Sequence, residues 1–231
     1  MRTESATPLE SAVINPDEFI GALQPCLCQG NLEETLLSVG KRWTCPQIVS
    51  LLSHKSGDVR KAAALALSVV GDRSAIVPLA VALHDTDPMV SQMAEHALWA
   101  MWFRLGKCRA VGLVKCGNTH MHHGNYECAI EKFTCAIQED PDFAEAYHQR
   151  AIAYYLSERF AESIADCRAA LERMPQHFGA MAGMGHSHAH LGEWREARRC
   201  YRLALAIYPG LEGIQASLAQ IDQLLCENSC T

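Results

Sequence analysis

From residue 110 onward, small and apolar side chains recur at the three- and four-residue spacing of helices packed on one side. Ala129–Ile130–Phe133–Ile137 and Ala165–Ala169–Leu171 are two such stripes. The stripes come in pairs separated by the polar turns HHGNYECA, LSERFAES and LGEWREAR. In the N-terminal half, apolar runs of helical length alternate with short polar joints rich in Gly, Asp and Pro. No segment alternates apolar and polar residues long enough to argue for a strand, so the pattern predicts an all-α chain.

The paired stripes have a fixed period. Pro141, Pro175 and Pro209 are 34 residues apart, dividing the chain into blocks 110–143, 144–177 and 178–211. Stacked, the blocks agree where antiparallel helices must touch. The eighth position holds Gly117, Ala151 and Gly185, and the twentieth holds Ala129, Ser163 and Ala197. The twenty-fourth holds Phe133, Cys167 and Tyr201, and the twenty-seventh Ala136, Ala170 and Ala204. Small residues let a neighbouring helix approach, and each proline stops its block because it cannot continue a helix. These positions resemble the tetratricopeptide repeat, which implies a stack of helix pairs. Cys116 and Arg150 depart from the large apolar residue usual at position seven. His120 and His188 replace the usual tyrosine of position eleven. Residues 212–227 carry Ile214, Leu218, Ile221 and Leu225 on one stripe and read as a capping helix.

A second period of 31 runs through the N-terminal half, where VRKAAALAL (59–67) matches VSQMAEHAL (90–98). Apolar helices at Pro46–Ser53 and Ala75–Leu83 precede the matched ones. Ser56-Gly57-Asp58, Gly71-Asp72-Arg73 and Asp85-Thr86-Asp87-Pro88 supply helix stops and starts. This half resembles the short HEAT-like repeat of the kind seen in bilin-lyase proteins. Pro16–Gln29 and Leu32–Trp43 read as two further helices. The expected division is a disordered stretch at 1–14, a HEAT-like domain at 15–105, and a tetratricopeptide domain at 106–231. The expected architecture is an α-α superhelical solenoid.

Charge and cysteine content narrow the function classes. The net charge of −6 divides evenly, with 8 basic and 11 acidic residues in 1–106 and 12 and 15 in 107–231. Neither half carries the basic footprint of a nucleic-acid binder. The N-terminus lacks the apolar core of a secretory signal, and the apolar runs are too short to span a bilayer. With no export signal, the odd count of 11 cysteines reads as reduced thiols in a cytoplasmic protein. The close pair Cys26 and Cys28 is not part of a paired zinc module, and the remaining thiols are scattered.

Chemistry-bearing motifs are missing: there is no phosphate loop, no HExxH and no GxSxG, so the chain is read as a non-enzyme. The tetratricopeptide likeness implies instead a partner-binding groove. Transferred to these blocks, the groove comprises Val111, Val114, Asn118, Met121 and His122, then Glu145, His148, Ile152, Tyr155 and Leu156. Its third strip is Gly179, Ala182, His186, Ala189 and His190. One subclass of the family grips a carboxylate terminus with asparagines and cations. Here Asn118 matches, but Val114, Gln149, Gly179 and Gly183 stand at its other places, so that clamp is not expected. His186 and His190 share a face and are the only candidates for a metal, although two imidazoles do not complete a site. No cofactor is expected. Trp99, Met101, Trp102 and Phe103 read as core or inter-array packing.

The leading expectation is therefore an adaptor binding a protein or peptide in the concave groove. An accessory role in bilin, cofactor or metal chemistry is the alternative, resting on the HEAT-like repeats and groove histidines. Self-association as a homo-oligomer through the N-terminal helices stays open.

Overall fold

The 34-residue period becomes three antiparallel helix pairs, and the small positions explain why they close. A computed structural model describes residues 14–29 and 32–227, with side chains from 14–23 and 37–227. Among these residues every regular element is helical. The first array comprises α1 (Pro16–Gln29), α2 (Leu32–Arg42), α3 (Cys45–Ser50), α4 (Gly57–Val70), α5 (Ile76–Ala82) and α6 (Pro88–Arg104). The second comprises α7 (Cys108–His122), α8 (Tyr126–Glu139), α9 (Ala144–Leu156), α10 (Phe160–Arg173), α11 (Phe178–His190) and α12 (Trp194–Ile207). It ends in α13 (Glu212–Glu227). Single 3-10 turns at Leu51–Ser53 and Arg73–Ala75 adjoin α3 and α5.

Within each pair the eighth and twenty-fourth positions meet. A β-carbon on Gly117 would stand 2.4 Å from the Phe133 ring, and one on Gly185 would stand 2.5 Å from the Tyr201 ring. Glycine is therefore required for these rings to enter. Ala129, Ala136, Ala170, Ala197 and Ala204 are all fully buried. The turn between paired helices uses left-handed backbone at a matching period, with φ of +72° at Gly124, +59° at Glu158 and +74° at Gly192. At position seven, Arg150 of α9 makes a bidentate pair with Asp166 of α10 at 2.6 and 2.8 Å. It also donates to Thr134 Oγ1 of α8 at 2.9 Å. A polar bridge between successive pairs thus replaces the usual apolar contact.

The first array is stapled at its joints. Asp72 accepts from Ser74 N, and Asp87 accepts from Met89 N ahead of Pro88. Asp85 is not a cap; it accepts from two guanidinium nitrogens of Arg60 at 2.7 and 2.8 Å, tying α4 to the joint before α6. The core of this array runs from Phe19 and Trp43 through Leu67 and Leu79 to Leu98 and Trp102. Ile14, the last residue of the stretch expected to be disordered, is buried in that core. The rest of that stretch lies outside the described residues, as do the side chains of Cys26 and Cys28.

Candidate functional site

The site is where the two arrays meet. Helix α6 is apolar on nearly all sides, so it buries two faces. Val90, Ala94, Ala97, Leu98 and Met101 are wholly buried in the first array. The side carrying Trp99 and Trp102 lies against the second. Trp102 stacks on the His177 ring at 4.0 Å and 14°, while Trp99 stands edge-on to Phe178 at 5.5 Å and 5.8 Å from the His148 ring. Tyr208 donates its hydroxyl to Glu95 Oε2 at 2.9 Å, fixing the same helix near its middle. Ala144, Met174, Phe178 and Tyr208 consequently belong to the core of the first array. Gly179 admits the ring of Trp99: a β-carbon there would stand 2.6 Å from it.

Beneath the tryptophans lies a closed polar network. Glu145 is fully buried, and its Oε1 accepts from Gln149 Nε2 at 2.6 Å. Its Oε2 is 2.9 Å from His177 Nε2, and His148 Nδ1 lies 3.4 Å from Oε1. Ala180 N donates to His177 Nδ1 at 3.1 Å. A backbone amide can only donate, so Nδ1 carries the lone pair and Nε2 carries the proton given to Glu145. His177 thereby caps α11 and satisfies the buried carboxylate at once. Burial pushes the Glu145 carboxyl upward, but its interactions with His148 first and the hydrogen bond from His177 next outweigh it and hold the group at about 2. Burial, then the neighbouring His148, pushes His177 down to about 4.

Glu145, His148 and His177 bring three ligand-type atoms within 4.8 Å of one another. A metal on His177 Nε2 would need the lone pair of that atom, moving the proton to Nδ1 against the Ala180 N–H. The donor set is matched to hydrogen bonding and does not fit an ion.

The residues expected in the groove divide into two groups. Glu145, His148 and Val114 are buried: the docking of α6 and the packing of the first repeat cover Glu145 and Val114, correcting the expectation for those two, and His148 keeps only an edge on a cavity between Trp99 and Tyr155. Asn118, Met121, Ile152, Tyr155 and His186 are half-buried, and His122, Leu156 and His190 are exposed. Leu156 is 45% exposed, large for a leucine on a rigid helix. Asn118 Oδ1 is buried and has no hydrogen-bond partner among the described residues.

His186 and His190, the metal candidates, are each held by a tyrosine. His186 Nδ1 lies 2.7 Å from the Tyr201 hydroxyl, and His190 Nε2 lies 2.8 Å from the Tyr155 hydroxyl. Phe160 stacks on His190 at 4.7 Å. They brace the groove wall, and among the described residues no third ligand-type group joins them. Between Trp99 and Tyr155 the groove deepens into a cavity of about 300 Å³.

Sequence reasoning missed His177 and the contact of Trp99 with Gly179, although it named Gly179 in the groove and read Trp99 as core or inter-array packing. A glycine at the second position of the third block, paired with an aromatic-rich helix upstream, was the available signal.

Comparison with known families agrees with this geometry. HEAT repeats match residues 33–99, and the tetratricopeptide repeat matches residues 144–177 and 179–211. The chain carries HEAT repeats followed by tetratricopeptide repeats. The block at 110–143 lies outside the matched residues but folds as the same helix pair. Human tetratricopeptide repeat protein 12 is 31% identical over 120 residues, 52% of this chain and 17% of that protein. Rat RNA polymerase II-associated protein 3 is 30% identical over 148 residues, 63% of this chain and 22% of that protein. The chain thus spans about a fifth of the length of these curated relatives. Among solved structures, the first tetratricopeptide domain of Spaghetti (RPAP3), bound to the HSP90 peptide SRMEEVD, superposes with a TM-score of 0.50 at 27% identity. The match covers 51% of this chain and 94% of that domain. The solved domain is one bound to a peptide, and none of these likenesses supports the bilin, cofactor or metal alternative. No helix among the described residues is long and apolar enough to cross a membrane.

Proposed function

We propose that the chain is an adaptor that holds a segment of a partner protein along the open part of the tetratricopeptide groove. One observation carries this reading. Ile152, Tyr155, Leu156 and His190 line an accessible concave strip on rigid helices, and the similar Spaghetti domain is one bound to a peptide. Rigid walls lower the ordering cost of binding. Binding, not catalysis, is the role proposed, in the cytoplasm and without nucleic acid or membrane as partner. The 105/106 boundary is kept as a change of repeat type and not as a folding boundary.

The bound segment differs from the acidic tail seen in the Spaghetti domain. Val114, Asn118, Gln149, Gly179 and Gly183 offer no cation, Gln149 is committed to Glu145, and Gly179 is covered by Trp99. A carboxylate brought there would lose water with nothing to replace it. Titration of the full chain with SRMEEVD tests this: no saturation at micromolar peptide is expected, and micromolar binding would refute it. Partners co-purified with the intact chain should be lost from Leu156→Glu and Met121→Glu variants that keep the wild-type melting temperature. Retention of the same partners by both variants would count against the groove.

A further inference from the structure

Gly179 and Gly183 lie one turn apart on α11, yet they meet different surroundings. A β-carbon at Gly179 would collide with Trp99, whereas one at Gly183 would rest 3.5 Å from Cys167 Sγ, at ordinary contact distance. The two glycines open a slot on the concave face. The ring of Trp99 fills the Gly179 end, and the cavity of about 300 Å³ occupies the rest. We propose that this slot, walled by Trp99 of the first array and by Ile152, Tyr155, Ala182 and His186 of the second, accepts one large apolar side chain from within a partner polypeptide. The proposal rests on the groove reading above and narrows it to a partner chemistry.

The choice of occupant follows from what the walls still offer. No Lys, Arg, Asp or Glu borders the cavity. Its hydroxyls and one nitrogen of each imidazole already hold protein partners: Tyr155 with His190, His186 with Tyr201, Ser163 with Ser187, and His148 with Glu145. An inserted charge would be desolvated with no ionic partner, while an apolar side chain would meet aromatic and methyl surface over most of the wall. The volume sits at the bottom of the range for small-molecule sites, about 300–1,000 Å³. It suits a single Met, Leu, Phe or Trp side chain and excludes a large cofactor. Because α6 supplies one wall, the specificity pocket belongs to both arrays together. The tetratricopeptide half without α6 would present a wider and more polar trough.

The test uses the full chain and N-acetyl-phenylalaninamide, a neutral probe that leaves the tryptophan signals readable. Nuclear magnetic resonance titration is expected to show saturable shifts at the Trp99 indole and the Ala182 methyl. N-acetyl-glutamate amide should give none there. Gly183→Leu, which fills the cavity, is expected to weaken the probe by about tenfold or more. Gly183→Ala, which adds one methyl where space exists, should weaken it by about threefold while the fold is retained. Absence of saturable shifts at Trp99, equal binding of the glutamate probe, or undiminished binding to the folded Gly183→Ala chain would overturn the proposal. Loss of the probe site with partner binding still sensitive to Leu156→Glu would sink the pocket and leave the groove reading standing.

Discussion

Trp99 lies so close to Gly179 that a β-carbon on that residue would stand 2.6 Å from its ring. This contact joins two repeat arrays that a continuous solenoid would simply stack end to end. Helix α6 instead lies on the concave face of the second array, closing part of the groove and leaving the Ile152–Leu156 part open.

Replacing that glycine should loosen the junction. Gly179→Ala is expected to destabilise the chain by about 1–3 kcal/mol, because the ring cannot be accommodated without backbone movement. Gly183→Ala, with room at the same helix face, should be neutral or stabilising by up to about 1 kcal/mol through helix propensity. Thermal melts followed by circular dichroism compare the two. Equal effects would mean that Trp99 does not press on Gly179.

The His177→Asn variant separates two jobs of one side chain. Asparagine can still cap α11 by accepting from Ala180 N, but it cannot reach Glu145 as the imidazole does. The buried carboxylate would lose one hydrogen bond, and Trp102 its stacking partner, at a cost of about 2–4 kcal/mol. Denaturant unfolding measures this. A change under about 0.5 kcal/mol would show that the network contributes little.

Acid should weaken the fold in two steps. His177 is held at about 4 against an ordinary 6.5. As pH falls below 6.5 the unfolded chain takes a proton there that the folded chain refuses, so stability is lost across that window. Glu145 is held at about 2 against an ordinary 4.5, so its stabilisation is lost between 4.5 and about 2. Melting temperature should therefore fall between about pH 7 and about pH 5, and the slope should flatten in His177→Asn. An unchanged melting temperature over that range in the wild type contradicts the burial of a neutral His177.

Glu158 is the exception in an otherwise glycine turn. Its φ of +59° matches those of Gly124 and Gly192 one period away, and a side chain is strained there. Glu158→Gly is expected to raise stability by about 1 kcal/mol. A lower melting temperature in that variant would indicate a native contact of the carboxylate that outweighs the strain.

The fold was legible because it is periodic. Pro141, Pro175 and Pro209 set the register, and the small residues at Gly117 and Gly185 stand where rings had to enter. The period also placed Glu158 beside Gly124 and Gly192, a comparison the sequence offered and the eye passes over. The site was legible only in part. Val114, Asn118, Met121, His122, Ile152, Tyr155, Leu156, His186 and His190 follow from laying the groove pattern of the tetratricopeptide resemblance on the 34-residue register, but their surroundings do not. Glu145 and His148 occupy groove positions, and what buries them is a helix from the other array, a long-range contact that no local pattern encodes. The same contact accounts for the glycine at position 179 where a clamp would hold a cation.

The central claim is that partners lie on the open concave strip beside Trp99. A photo-crosslinking amino acid placed at Leu156 of the full chain, and in parallel at Arg195 on exposed α12, tests it most directly. Crosslinked partner species that form from Leu156 and not from Arg195 are the predicted result. The same species from Arg195 with none from Leu156 would contradict it.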